Sequence, residues 1–224
     1  MELSQIIPWG RSYQEYRDMF LLTDKDRTRT ILGCGDGPAS FNAELSRAGG
    51  SVVSVDPIYR FSKEKIHQCI AEAYPQVMTQ LSLNFSDYLW TKLGGVEELG
   101  RLRMQAMELF LSDYEMGKKT GRYLAASLPT LPFMDNSFDL ALCSHYLFLY
   151  SAHIKSARHK ASVLELCRVA REVHIYPLVD LDGKRSRHLA PVRALLEESG
   201  MEVMLAPVAH RFQKGATEML VIRS

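Results

Sequence analysis

The strongest constraint on the fold is a glycine-rich turn that joins a short apolar run to a helical segment. Residues 29–32 (RTIL) lead directly into residues 33–38 (GCGDGP), and Gly49-Gly50 ends the helical segment that follows, with Pro38 expected in its first turn. A β-branched run at 51–55 (SVVSV) then ends on Asp56. This order of elements, which spans about 30 residues, predicts a βαβ unit. The glycine turn of such a unit presents free N–H groups at the N-terminus of a helix.

The rest of the chain also alternates between strand and helix patterns. Strands are predicted at 123–126, 138–143, 172–178, 203–211 and 219–223, and helices at 12–22, 154–170 and 191–199. This alternation predicts an α/β fold: a doubly wound, Rossmann-like, mixed seven-stranded sheet with helices on both faces. The last two runs are joined by residues 212–215 and are typical of a hairpin, so the last strand is expected to be antiparallel.

Residues 57–121 interrupt the alternation. A crossover between parallel strands needs only about a dozen residues. Apolar side chains at helical spacing predict one helix around Ile66 and Ile70 and a second around Ala106 and Phe110, with Gly94-Gly95 between them. We therefore expect a helical insertion after the second strand, at about 59–120. Residues 1–224 are interpreted as a single domain, in which this insertion and the N-terminal helix form a cap.

Composition excludes several classes of protein. The chain has 224 residues, of which 46% are hydrophobic and 24% charged, and these values are typical of a globular protein with a core. The net charge of +1 argues against a nucleic-acid partner. Four scattered cysteines without a CxxC pair predict neither a disulfide framework nor a metal site. Without a signal sequence or an apolar stretch of about 20 residues, we expect a cytoplasmic protein with no membrane partner.

The acid after the second strand points to a nucleoside. Asp56 is placed to accept hydrogen bonds from both hydroxyls of a ribose. A dinucleotide fingerprint requires Gly or Ala at its sixth position, but counting from Gly33 that position is Pro38, and counting from Gly35 it is Ser40. The sequence therefore favours a nucleoside-containing ligand other than NAD, and it contains no P-loop.

Three stretches resemble the class I S-adenosylmethionine-dependent methyltransferases. Residues 31–37 (ILGCGDG) are similar to the first motif of that family and residues 53–56 (VSVD) to its second. Residues 131–139 (LPFMDNSFD) resemble a run found in its small-molecule branch, which includes the quinone-biosynthesis enzymes. The resemblance covers about 29–58 and 122–224. It implies S-adenosylmethionine as cofactor and methyl transfer to an unidentified small-molecule acceptor.

The resemblance also implies a role for each matching position. The glycine turn would lie against the methionine moiety, the acid would hold the ribose, and two short stretches would contact the adenine. The positions concerned are Gly33, Cys34, Gly35 and Gly37 in the turn, Asp56 for the ribose, Pro57, Ile58, Ser127 and Leu128 around the adenine, and Ser144 beside the sulfonium.

Two further residues are candidates for the site. In this fold class an N-terminal segment can close over the cofactor, so Arg11 is either a partner for the cofactor carboxylate or an ordinary surface arginine. His145 follows Ser144 and is either a general base or a structural histidine. Methyl transfer needs a base only when the acceptor is protonated at the working pH, so the reaction class itself does not require a catalytic residue.

Two departures from the family pattern leave alternatives open. Ile31 stands where members commonly carry an acid, and Ser127 stands where the usual residue is Asp. Both fit a non-catalytic protein that binds S-adenosylmethionine or S-adenosylhomocysteine. An NAD-dependent oxidoreductase is a further alternative, which Pro38 argues against. The insertion is also long enough to form a homodimer interface.

Overall fold

The computed structural model describes residues 7–91 and 93–223. The strands are β1 (Thr30–Cys34), β2 (Ser51–Val55), β3 (Tyr123–Leu124), β4 (Phe138–Ser144), β5 (Ala170–Tyr176), β6 (Glu202–Pro207) and β7 (Glu218–Arg223). The α-helices are α1 (Tyr13–Phe20), α2 (Phe41–Arg47), α3 (Lys63–Leu83), α4 (Val96–Lys119), α5 (Ser156–Val169) and α6 (Leu189–Glu198).

The seven strands form one sheet in the order β3-β2-β1-β4-β5-β7-β6. Strands β1 to β5 pair in parallel, whereas β7 runs antiparallel to both β5 and β6. This confirms the predicted mixed, doubly wound sheet with an antiparallel last strand. In the register of the sheet, Cys34 at the end of β1 lies opposite Val55 of β2 and Cys143 of β4, so three carboxyl ends meet at one edge.

Helices cover both faces of the sheet because side chains alternate along each buried strand. Ile31 and Leu140 face a core that also contains Tyr16 of α1 and Phe41 of α2. The neighbouring strand residues face the opposite core, which contains apolar side chains of α5 and α6. Full burial of one such large apolar side chain stabilises the fold by about 1.5–3 kcal/mol.

Helix α1 begins with a capping box. Ser12 N donates to Glu15 Oε2 (3.0 Å), and Glu15 N donates to Ser12 Oγ (3.3 Å). The helix ends at Phe20 rather than at residue 22, because Leu21 adopts a left-handed conformation with φ 54°. Tyr16 and Phe20 of this helix are buried against the sheet.

The insertion contains two long helices, α3 and α4, and Gly95 precedes the first residue of α4. An aromatic cluster holds α4 against the sheet edge: Tyr59, Phe110, Tyr114 and Tyr123 have ring centroids 5.2–6.0 Å apart. Tyr114 Oη donates to the carbonyl oxygen of Tyr59 at 2.8 Å. The insertion is therefore packed against β3 and extends above the carboxyl edge of the sheet.

Several element boundaries differ from the prediction. Pro38 lies in the turn rather than in a helix, and α2 begins only at Phe41, because Ser40 N donates to the carbonyl oxygen of Arg11 (3.0 Å). The strand predicted at 172–178 ends at Tyr176, since Pro177 has no N–H to donate. The strand predicted at 203–211 ends at Pro207.

Candidate ligand-binding site

A cavity of about 750 Å³ lies at the carboxyl ends of the parallel strands. It lies where β1 adjoins β4, which is the point at which the chain switches from one side of the sheet to the other. Ligands of open α/β sheets bind at such switch points. All of the predicted site residues except Gly33 line it: Arg11, Cys34, Gly35, Gly37, Asp56, Pro57, Ile58, Ser127, Leu128, Ser144 and His145.

The turn after β1 needs glycine at two cavity-lining positions. Gly35 has φ 73° and Gly37 has φ 53°, a region that residues with a side chain rarely adopt. A Cβ atom on Gly35 would also lie 3.0 Å from Cβ of Tyr146. Gly35 N donates to the carbonyl oxygen of Val55 (2.9 Å), which ties the turn to the end of β2. The backbone of the turn is thus fixed and open to close approach by a ligand.

Gly33 accommodates a buried acid that the sequence interpretation missed. A Cβ atom on Gly33 would lie 1.8 Å from Oδ2 of Asp36, so the absence of a side chain leaves room for that carboxyl. Tyr16 Oη donates to Asp36 Oδ1 (2.8 Å) and Ser54 Oγ donates to Asp36 Oδ2 (2.6 Å). Burial raises the pKa of Asp36 to about 7. Asp36 lines the cavity, so an acid does lie at the turn although Ile31 is not one.

Asp56 is anchored with both carboxyl oxygens facing N–H groups. Gly37 N donates to Oδ2 (3.0 Å) and Ile58 N donates to Oδ1 (2.9 Å). Burial raises the pKa of Asp56, and the two hydrogen bonds oppose that shift. Each carboxylate oxygen can accept a second hydrogen bond, so two adjacent hydroxyl groups of a ligand can bind here.

Ser127 and Leu128 line the same cavity as Pro57 and Ile58. Arg158 holds this stretch by donating from Nη2 to the carbonyl oxygen of Leu128 (2.6 Å). Ile58 and Leu128 provide apolar surface, and Ser127 provides a hydroxyl without charge. The arrangement suits a flat ring that is bound by its faces and by hydrogen bonds at one edge.

A cation also lines the cavity. Arg11 Nη1 donates to the carbonyl oxygen of Trp9 (3.2 Å), but the buried Nε has no partner, and no carboxylate among the described residues pairs with this guanidinium. The nearby Glu15 forms an ion pair with Arg103 instead. Burial and the charge of Arg103 lower the pKa of Arg11 to about 10. The cavity therefore offers a positive charge to an anionic group of a ligand.

His145 has a strained backbone at the end of β4. Its φ of 51° is positive, and its N–H donates to the carbonyl oxygen of Tyr176 (2.7 Å). Nδ1 lies 2.9 Å from Ser144 Oγ. Burial, followed by the charge of Arg11, lowers the pKa of His145 well below its usual range. The imidazole is therefore neutral at pH 7 and lines the cavity.

His210 is a second cavity histidine, and sequence reasoning gave it no role. It lies on the connection between β6 and β7, is 8% exposed, and its Nε2 has no hydrogen-bond partner among the described residues. Its ring packs edge-on against Tyr176 with centroids 5.9 Å apart, and His145 contacts the same ring at 5.4 Å. Burial lowers the pKa of His210 to about 4. No motif contains this residue, so local sequence patterns carry no signal for it.

Aromatic side chains close the end of the cavity beyond Arg11. We call residues 85–91 and 208–214 the roof. Tyr88 and Phe212 from its two segments stack with centroids 4.6 Å apart, and Trp9 lies beside them. Leu89 N donates to the carbonyl oxygen of Phe212 (2.7 Å), and Lys214 N donates to that of Asp87 (3.0 Å). The cavity thus has one half at the glycine turn and a second, aromatic half under the roof.

Two further features are absent from the parts of the chain that the structure describes. No group of three His, Cys, Asp or Glu side chains there is arranged to hold a metal ion. None of the helices described is both long enough and apolar enough to cross a lipid bilayer.

Comparison with known proteins gives one sequence relative. No family model matches the chain. An uncharacterized protein of Methanocaldococcus jannaschii is 28% identical over 224 residues, which are 100% of this chain and 98% of that protein.

Solved structures that are similar to this chain have low sequence identity to it. A magnesium protoporphyrin IX methyltransferase from Synechocystis PCC 6803 with bound S-adenosylhomocysteine has a TM-score of 0.48 and 15% identity, covering 92% of this chain and 78% of that one. A methyltransferase dependent on S-adenosylmethionine from Aquifex aeolicus has a TM-score of 0.47 and 15% identity, with 93% of each chain covered. Both TM-scores are below 0.5.

Proposed function

We propose that this chain is a methyltransferase that uses S-adenosylmethionine and acts on a small-molecule acceptor. One observation carries the proposal. A single cavity at the switch point of the sheet brings together the glycine turn, the anchored carboxylate of Asp56, the Ser127-Leu128 stretch and Ser144. These residues come from four separate stretches of sequence, and together they suit a nucleoside joined to a charged amino-acid tail.

The residues present fit S-adenosylmethionine along the length of the cofactor. Asp56 would accept hydrogen bonds from the ribose hydroxyls, and the apolar side chains of Ile58 and Leu128 would contact the adenine. The open backbone of Gly35 would lie against the methionine moiety. Arg11, whose Nε has no partner among the described residues, would pair with the carboxylate. When bound, the cofactor supplies a methyl group on a positively charged sulfur.

The protein's own contribution is alignment and exclusion of water. The rigid turn and Asp56 hold the donor in one orientation, and an acceptor placed under the roof faces it from the aromatic half of the cavity. Alignment of two reactants in this way can supply several kcal/mol of the barrier. Segments from both ends of the chain close over this space, which favours a small molecule over a polymer as acceptor.

The aromatic half of the cavity favours transfer over binding alone. A protein that merely bound the cofactor would need no second compartment, yet Trp9, Tyr88 and Phe212 line one. The NAD-dependent alternative is not supported, because Pro38 occupies the sixth position of the fingerprint and lies in the turn.

Calorimetric titration tests the proposal. The purified chain is titrated with S-adenosylmethionine, S-adenosylhomocysteine and NADH, and the titrations are repeated on Asp56→Ala and on a matched control, Asp24→Ala, at an exposed acid far from the cavity. We expect micromolar affinity for both sulfur ligands, a loss of at least tenfold in Asp56→Ala only, and no binding of NADH. If neither sulfur ligand binds at millimolar concentration, the proposal is wrong.

A further inference from the structure

Resting on the proposed function, we propose that the acceptor is a phenol, an aromatic ring bearing an ionisable hydroxyl, and that Nε2 of His210 binds this hydroxyl and takes its proton. The proposal assigns a chemical class to the acceptor. It also gives a role to a buried histidine that neither the glycine turn nor the cofactor positions use.

The aromatic half of the cavity has a lining that suits a flat ring. Its walls are the side chains of Trp9, Tyr88 and Phe212, and α3 adds Val77 and Leu81. Aromatic pairs gain about 0.5–1.5 kcal/mol beyond the burial of their area. An aliphatic acceptor of the same size would forgo that gain, so the lining favours an aromatic one.

His210 provides a polar group at this wall that lacks a hydrogen-bond partner among the described residues. Its Nε2 is buried without a hydrogen-bond partner among the described residues, which costs about 1–3 kcal/mol unless a ligand satisfies it. The backbone around it is fixed, because Ala209 N and His210 N both donate to the carbonyl oxygen of Asp18, at 3.2 and 3.1 Å. The edge-on contact with Tyr176 orients the ring. The imidazole is therefore positioned before any ligand arrives.

The surrounding charges favour a hydroxyl over an amine. The charged or titratable groups that influence His210 are Arg11 and Arg103, which lower its pKa, and Glu15 and Asp18, which raise it. Glu15 is already paired with Arg103, so its carboxylate is not free to pair with an ammonium group at His210. A hydroxyl is neutral and needs no such partner, so it suits the buried Nε2 better than an ammonium group does. With a pKa of about 4, the imidazole is neutral at pH 7 and able to accept a proton.

Methyl transfer to the hydroxyl needs only the cofactor and these groups. The acceptor oxygen forms a bond to the methyl carbon, and the bond between that carbon and the sulfonium sulfur breaks, with its electron pair kept by the sulfur. The hydroxyl proton passes to Nε2 of His210 and afterwards to water. His145 contacts the same Tyr176 ring, and its Nδ1 lies 2.9 Å from Ser144 Oγ.

Binding of matched probes to the complex with S-adenosylhomocysteine tests the inference. The probes are 2-naphthol, its methyl ether 2-methoxynaphthalene, which has no hydroxyl proton, and 2-naphthoate, and their affinities are measured by fluorescence. We expect 2-naphthol to bind at least tenfold more tightly than the ether. His210→Phe should reduce this preference to about one, whereas His210→Gln should retain much of it. His67→Gln, at an exposed position on α3, serves as the matched control.

Methyl transfer to 2-naphthol provides the second readout. In His210→Gln the rate at pH 7 should fall by about 10²–10⁴, since a base of that kind contributes such a factor. The remaining rate should rise tenfold per pH unit, because only the spontaneously ionised naphthol reacts, whereas the wild-type rate should be nearly flat between pH 6 and 8.

The outcomes separate the two proposals. If wild-type protein does not bind S-adenosylhomocysteine, the proposed function fails. If it does, but the ether or the carboxylate binds as tightly as 2-naphthol, or the His210→Gln rate keeps the wild-type pH profile, the phenol inference is overturned. Unchanged affinity of each variant for S-adenosylhomocysteine shows that the variant is folded.

Discussion

Gly33→Ala is expected to destabilise the protein through a single side chain, that of Asp36. The new Cβ atom would lie 1.8 Å from Oδ2, 2.6 Å from Cγ and 2.8 Å from Oδ1 of Asp36, whereas ordinary contacts between such atoms exceed about 3.4 Å. The φ of Gly33 is not positive, so alanine meets no backbone strain there. The carboxyl group must therefore move by more than 1 Å, as an order-of-magnitude figure from that contact distance.

That displacement breaks both hydrogen bonds of the buried carboxyl. The bonds from Tyr16 Oη (2.8 Å) and Ser54 Oγ (2.6 Å) would both exceed hydrogen-bonding distance. Each bond contributes about 0.5–1.5 kcal/mol, and Tyr16 Oη is left buried without its partner, so we expect a loss of about 3 kcal/mol. In a protein that already carries Asp36→Ala, the new Cβ atom meets no carboxyl group. Gly33→Ala should then lower the free energy of unfolding by less than about 1 kcal/mol.

A double-mutant cycle measures this coupling. Urea unfolding of the four proteins at pH 8, followed by circular dichroism, gives the free energy of unfolding of each. The structure predicts a coupling energy of about 2 kcal/mol between the two positions. A coupling within about 0.5 kcal/mol of zero would refute the reasoning, because the two substitutions would then act independently.

Three further predictions concern the same region. Arg11→Ala should weaken binding of S-adenosylhomocysteine at least tenfold but leave binding of methylthioadenosine, which lacks the amino-acid tail, unchanged in calorimetry; equal losses for both would contradict a role at the carboxylate. Arg103→Met should lower the free energy of unfolding, measured in urea, by about 3–5 kcal/mol, because it leaves the carboxylate of Glu15 buried and unpaired. A loss below about 1 kcal/mol would show that solvent reaches this carboxylate. Because burial raises the pKa of Asp36 to about 7, the contribution of this carboxyl to stability is fully present below about pH 4 and is lost as pH rises through 7. The difference in unfolding free energy between wild type and Asp36→Asn should therefore shift by up to about 4 kcal/mol in favour of the variant between pH 4 and pH 8, and a constant difference would show that the carboxyl titrates normally.

The sheet and the glycine turn were predictable because their signals are contiguous. The run from residue 29 to Asp56 contains strand, turn, helix and strand with nothing between them, so local pattern alone indicates the topology. Pro38 shows where local pattern fails. It suits a first helical turn, but the contact between Ser40 and the carbonyl of Arg11, which lies 29 positions earlier, delays the helix to Phe41.

The aromatic half of the cavity was not predictable, because it forms from segments that are distant in sequence. Trp9 precedes the first helix, Tyr88 follows α3, and His210 lies between the last two strands. None of them belongs to a motif, and only the packing of the roof brings them together. Asp36 was missed for another reason. Its position in the turn was visible, but the room it occupies exists only because Gly33 has no side chain.

The position of β7 has a consequence for how the two halves of the cavity are assembled. β7 lies between β5 and β6, so neither β6 nor the connection that carries His210 can reach the sheet until the β6–β7 hairpin docks on β5. The glycine turn and Asp56 depend only on β1, β2 and their neighbours. Partial opening that detaches the hairpin would therefore remove His210 and Phe212 while leaving the residues proposed to bind the nucleoside in place. In native-state hydrogen exchange, the amides of β7 should accordingly exchange at a lower opening free energy than those of β1.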